Sequence, residues 1–215
     1  MRVAIVSESI ADETALRVIV DAALGMRTMP VVPAIRYRPG HTFMRDLPAI
    51  LRTLHKHGGA DGLVTVVDSD DTPIHQPEHE NDPAAALHCR LCETRALLST
   101  AQDELARLDP KRRPIRTAAG LAVPAIEGWY LSGRDPNCTE EAWLAHIADH
   151  EDGTTYRHIR QQLKQKAYGR HRPSLGYQTR AAVEHARRLA SDLDAIAANF
   201  PNGFGPLLDD LKTWV

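Results

Sequence analysis

The sequence predicts an α/β fold: a Rossmann-like parallel sheet of about four strands flanked by helices, with a C-terminal helical extension. Three observations carry this. Short apolar runs alternate with helical periodicity through the first seventy residues. The strand–helix–strand–helix–strand spacing suits a parallel sheet with covering helices. From Thr139 onward the chain offers only helical patterns, so the reading divides into an α/β domain over residues 1–135 and a helical extension packed on it over 136–215.

Val3 to Val6 reads as a buried strand. Leu16, Ile19, Val20, Ala23 and Leu24 then recur at helical spacing until Gly25 stops them. Residues 31–38 (VVPAIRYR) read as a second strand, which Pro33 confines to an edge or an end. Phe43, Leu47, Ile50, Leu51 and Leu54 mark one face of a helix ended by Gly58-Gly59. Gly62 to Val67 (GLVTVV) is the best strand, β-branched and bounded by Gly and Asp. Residues 72–83 hold three prolines and no periodicity, which predicts a loop. A helix is expected over 84–108, a strand over 115–122, a short helix around 125–132 and a long helix over 179–198.

Composition narrows the function. The 215 residues are 43% hydrophobic and 25% charged, ordinary globular values that exclude disorder as the main state. No apolar run approaches the ~18 residues of a membrane span. Met1 and Arg2 lead directly into VAIV without a secretory hydrophobic region, and three cysteines make no disulfide framework, so a cytoplasmic location is expected. Arginine far outnumbers lysine, a hint of a GC-rich bacterial genome. A formal charge of −2 gives no whole-molecule attraction to nucleic acid, so any such contact must be local.

Acidic residues gather where parallel sheets bind ligands, at the carboxyl ends of strands. Glu8 follows the first strand, with Asp12 four residues on. Asp68, Asp70 and Asp71 follow the best strand, and Glu127 follows the last. Clustered carboxylates repel one another unless a cation offsets them, and Mg²⁺ or Mn²⁺ with oxygen ligands would do so. Each acid also has an ordinary reading: Ser9-x-x-Asp12 has capping-box spacing, and acids just past strands are common turn residues.

Glu8, the Asp68-x-Asp70 pair and the α/β order together resemble the Toprim domain of topoisomerases, primases and OLD-family nucleases. The segment Pro124-Ala-Ile126-Glu127-Gly-Trp129 and the closing FPNGFGPLLDDLKTW resemble a stand-alone Toprim-like family of about this length. The resemblance implies a Toprim fold and metal-assisted cleavage of nucleic-acid phosphodiesters, with Glu8 as acid/base or ligand. It implies Mg²⁺ or Mn²⁺ held by Asp68 and Asp70, and Glu127 completing the cluster with Asp12 nearby. It further implies an ABC- or SMC-like ATPase partner and a setting in phage defence. Ser9 departs from the family's glycine after the Glu, and no acid follows Trp129 closely.

Residues 154–183 lack Asp and Glu, and Arg157, Arg160, Lys164, Lys166, Arg170, Arg172 and Arg180 make a basic stripe with Tyr168 placed to stack. Lys164, Lys166, Arg170 and Arg172 are its expected nucleic-acid contacts; a solvated helix face is the alternative. His75, His79, His88, Cys89 and Cys92 invite a zinc reading, but a single Cys-x-x-Cys inside an expected helix reads more simply as core. Trp129, Trp143 and Trp214 likewise read as core or interface. Rival functions stay open. Asp68-Ser-Asp-Asp-Thr72 matches the nucleophile motif of haloacid-dehalogenase-type phosphatases, without their downstream motifs. VVDSDD would also suit a GT-A glycosyltransferase, without its N-terminal nucleotide-binding features. A non-catalytic docking partner would use Leu207, Leu208, Leu211 and Trp214 as its interface.

Overall fold

In the computed structural model, β-branched runs form the centre of the sheet and amphipathic helices its cover. It describes residues 1–32, 43–57, 59–70, 72–82, 84, 86–149, 153–170 and 172–215. The strands are β1 (Arg2–Val6), β2 (Met29–Pro30), β3 (Gly62–Asp68) and β4 (Arg116–Ala122). They pair in parallel in the order β2-β1-β3-β4. Every residue of β3 is buried, as befits an inner strand covered on both faces.

Helix α1 (Ile10–Ala23) leaves β1 toward β2, whereas α2 (Phe43–His57) and α3 (Arg90–Leu108) lead toward β3 and β4. The chain therefore reverses its direction of travel between β1 and β3. That makes their carboxyl ends the topological switch point, where open α/β sheets form their ligand crevice. Six further helices follow among the described residues: α4 (Ile126–Leu131), α5 (Glu140–Asp149), α6 (Gly153–Tyr168), α7 (Leu175–Leu189), α8 (Leu193–Asn199) and α9 (Phe204–Lys212).

The α/β class and the four strands are as expected; several details differ. The second strand is two residues long and sits at Met29–Pro30, ahead of the expected 31–38. Val31 and Val32 are outside it, and residues 33–38 lie outside the described residues, as do Gly58 and Asp71. Helix α3 begins at Arg90 rather than 84, after turns that include a 3-10 segment at Pro77–Glu80. The long helix expected over 179–198 is two helices, because Asp192 caps α8 by accepting from the Ala195 N–H at 3.0 Å.

The extension is built into the same core as the sheet. Helix α7 packs along α1, and α9 lies on β4. Gly62 and Gly120 make the close approach possible: a Cβ at Gly62 would stand 2.4 Å from the Trp214 ring, and one at Gly120 3.0 Å from Leu207. Leu207, Leu208, Leu211 and Trp214 are all buried here, so they do not form the exposed docking surface that the sequence suggested. Trp129 and Trp143 are core residues, as expected.

Candidate functional site

Glu8 lies just past β1, and Asp68 ends β3, so the two acids flank the switch point. The turn after β3 is held by backbone bonds from Ser69 N–H to Ala122 O at 2.8 Å and from Asp70 N–H to Pro124 O at 3.1 Å. Asp70 adopts a left-handed φ of 52°, a conformation Asp tolerates better than most residues. The turn brings the carboxylates of Asp68 and Asp70 to the same place.

Two guanidinium groups meet these acids. Arg160 of α6 reaches Asp68 Oδ2 at 2.6 Å, Asp70 Oδ1 at 2.5 Å and Glu8 Oε2 at 3.5 Å. Arg90, the first residue of α3, reaches Asp70 Oδ2 at 2.5 Å and Glu8 Oε1 at 3.7 Å, and donates to the Asp68 carbonyl at 2.7 Å. Asp68 Oδ1 accepts from the Ile126 N–H at 3.0 Å. Glu8, Asp68 and Asp70 are thus brought together, around arginines that the sequence reading did not assign to the site.

A second layer lies behind. Ser9 is the N-cap of α1; it accepts from the Asp12 N–H at 3.2 Å and donates its hydroxyl to Asp12 Oδ2 at 2.6 Å. The serine that follows Glu8 therefore has a capping use. Asp12 Oδ1 accepts from the Tyr130 hydroxyl at 3.0 Å, so both oxygens of Asp12 are engaged. Glu127 is buried with Lys164 Nζ 3.9 Å from its Oε1, and its Oε2 has no hydrogen-bond partner among the described residues.

The electrostatics follow from burial and crowding. Burial first, then the charges of Glu8 and Glu127, push the Asp68 carboxyl well above the usual carboxylate range, with Arg160 opposing. Burial likewise raises Asp12 and Glu127, against Ser9 and Tyr130 hydrogen bonds in one case and Lys164 in the other. Tyr130 and Tyr168 are raised by burial and by the neighbouring acids. Among the described residues, the acids Glu8, Asp12, Asp68, Asp70 and Glu127 gather with the cations Arg90, Arg160 and Lys164. Carboxylate oxygens are the donors that hard divalent cations take; here guanidinium groups stand between them.

The basic stripe is distributed differently from the expected surface. Arg160 and Lys164 turn into the acidic pocket, and Lys166 Nζ pairs with Asp135 at 2.6 Å. Arg170 lies over the Tyr177 ring, 4.6 Å from its centroid, and Arg172 is exposed. The Arg157 side chain lies outside the described residues. Tyr168 is 4% exposed and inside the core, so it is not the stacking platform expected of it. The missed residues had weak signals: Arg90 follows directly on the Cys-x-x-Cys start, and Tyr130 sits within the Ile-Glu-x-Trp-Tyr segment.

The site and fold define a Rossmann-like α/β protein with an acid–arginine pocket at its switch point. No family model matches the chain, and no curated protein or solved structure is significantly similar to it.

Proposed function

We propose that this chain is a metal-dependent phosphodiester hydrolase acting on nucleic acid, as its resemblance to Toprim proteins implies. The observation that carries the reading is the convergence of the Glu8, Asp68 and Asp70 carboxylates, from two strand ends, on Arg160, with Arg90 shared between Glu8 and Asp70. Phosphoryl transfer needs both signs of charge in one place: carboxylates for a cation and guanidinium groups for phosphate oxygens.

Asp68 and Asp70 would hold a Mg²⁺ or Mn²⁺ ion, with Glu8 beside them and Glu127 and Asp12 behind. The ion supplies neutralisation of the phosphate and acidification of a bound water. The chain's own residues do the rest. Arg90 and Arg160 present planar forks suited to two non-bridging phosphate oxygens, exchanging their carboxylate partners for substrate. Glu8 is the most solvent-accessible acid in the pairings, with its side chain 35% exposed, and so is best placed to take a proton from the attacking water. Lys164, Lys166, Arg170 and Arg172, on α6 and the turn after it, would contact the nucleic-acid backbone. Work beside an ABC- or SMC-like ATPase rests on the family resemblance alone.

One observation favours a second reading. Arg90 and Arg160 already offset much of the acidic charge, as they would in an inert hub that braces α3 and α6 against the sheet. A phosphatase reading with Asp68 as nucleophile is less well supported, because Asp68 is 7% exposed and both its oxygens are engaged. The test is calorimetric titration with Mn²⁺, followed by cleavage assays on single- and double-stranded DNA and RNA. The nuclease reading expects Mn²⁺ binding and cleavage that Asp70→Ala removes while thermal unfolding stays cooperative. Absence of Mn²⁺ binding to the folded protein leaves the inert hub.

A further inference from the structure

A second cluster lies apart from the carboxylates, in the segment that joins β3 to α3. The sequence suggested that Cys89 and Cys92 lie inside a helix. Instead Cys89 is the N-cap of α3 and Cys92 lies one turn further in, so both sulfurs sit at the start of the helix. His88, in a left-handed conformation with φ 67°, turns the chain into that position. The preceding loop folds back over the helix start and brings His75 and His79 to the two thiols.

The geometry is that of a four-coordinate site. His75 Nδ1 lies 3.3 Å from Cys92 Sγ and 3.8 Å from Cys89 Sγ. The His75 and His79 rings are 5.5 Å apart at 80°. One ligand atom from each of the four side chains lies within 4.8 Å of all the others. Tetrahedral zinc with Zn–S near 2.3 Å and Zn–N near 2.0–2.1 Å requires neighbouring N and S atoms roughly 3.5 Å apart, so only small side-chain adjustments separate this arrangement from a bound ion. His75 and Cys89 are 4% and 0% exposed, which places half of the ligand set inside the protein.

We propose that His75, His79, Cys89 and Cys92 form a structural Zn²⁺ site. Two soft thiolates and two imidazoles select zinc over the hard cations suited to the carboxylate pocket. Four protein ligands leave no open position, which marks the site as structural. The ion would clamp the segment whose two ends carry Asp70 and Arg90, the 2.5 Å pair of the acidic pocket. The zinc site stands on its own ligands and not on the nuclease reading.

The test is the metal content of the full chain purified under reducing conditions, together with Co²⁺ substitution. One zinc per chain is expected, released by a thiol-specific mercurial. Co²⁺ should give the intense visible bands and thiolate charge-transfer absorption of a tetrahedral site with two sulfurs. Cys92→Ser and His79→Ala, both at half-buried positions, should each lose that spectrum, whereas Cys138→Ser keeps it. Should either ligand variant fail to fold, the wild-type cobalt spectrum decides alone. No stoichiometric zinc after reconstitution, an octahedral cobalt spectrum, or a Cys89–Cys92 disulfide in the reduced preparation would overturn the proposal. Asp70→Ala should retain its zinc even if no Mn²⁺-dependent cleavage is ever found, which separates failure of one reading from failure of the other.

Discussion

Arg160 is the residue on which the acidic pocket most depends, and its removal gives the sharpest prediction. Its guanidinium touches Asp68, Asp70 and Glu8, while the Asp68 side chain is only 9% exposed. Breaking a buried pair by deleting one partner costs about 3–5 kcal/mol, because a charge is left in a poorly solvated place. Arg160 and Glu8 are partly exposed, at 27% and 35% of their side chains, so water enters and the lower end applies. Arg160→Ala should therefore cost about 2–3 kcal/mol, which lowers Tm by roughly 5–10 °C for a chain of this size. The loss should depend on pH in a defined direction. Asp68 is already raised in the folded state, and Arg160 opposes that rise. Between the ordinary value near ~4 and the folded value, the native state holds a proton that the unfolded chain has shed, so stability falls with rising pH by up to ~1.4 kcal/mol per unit. Without Arg160 that window widens, and the deficit of the variant should be larger at pH ~7.5 than at pH ~5. Arg160→Lys should fall between, since a single ammonium cannot fork to Asp68 and Asp70 together. Thermal unfolding of the three proteins at both pH values checks this. Equal deficits at the two pH values, or none at either, would refute the charge argument.

Three other outcomes are expected. Glu127→Gln replaces a buried charge by a neutral isostere, and its partner Lys164 is 44% exposed and can turn to water. Stability above the carboxylate range should rise by ~1 kcal/mol, or about 2–4 °C in Tm, while affinity for Mn²⁺ falls in calorimetry. Gly203→Ala places a Cβ 2.2 Å from the Leu121 carbonyl and 2.9 Å from Glu140, so a loss of ~1–3 kcal/mol is expected in denaturant unfolding. His185 titrates with the opposite sign to the acids: burial lowers it, and it stays neutral against Tyr130 and the Ala167 carbonyl. As pH falls below ~6.5 the unfolded chain gains a proton that the native state refuses, so wild type should lose stability relative to His185→Gln. A pH-independent difference between the two proteins would contradict that.

What could be read in advance follows from which signals are local. Gly62 to Val67 was legible because a strand buried on both faces is continuously apolar. The two-residue β2 carries no such pattern, and its pairing with β1 comes from position in the sheet alone. The break between α7 and α8 turns on Asp192 acting as a cap, a signal that the surrounding helical periodicity hides. In the pocket, Glu8, Asp68 and Glu127 were legible because acids just past strands have a known place in an α/β sheet. Arg160 looks like one more cation of the basic stripe in sequence, because its partners lie 90 or more residues away in the chain. The helical periodicity over 84–108 hides that α3 starts at Arg90, and with it that Cys89 and Cys92 lie at a helix terminus beside His75 and His79.

The burial of α9 and Trp214 against the strands has a consequence for how this protein can be divided. A fragment ending near residue 135 would keep the acids and lose Arg160, Lys164 and the helices that cover α1 and β4. Such a piece would expose sticky apolar surface and leave Arg90 as the one remaining cation of the three that face these acids. Grafting the site onto another scaffold therefore means moving the whole chain, because two of those three cations are encoded in the C-terminal helices.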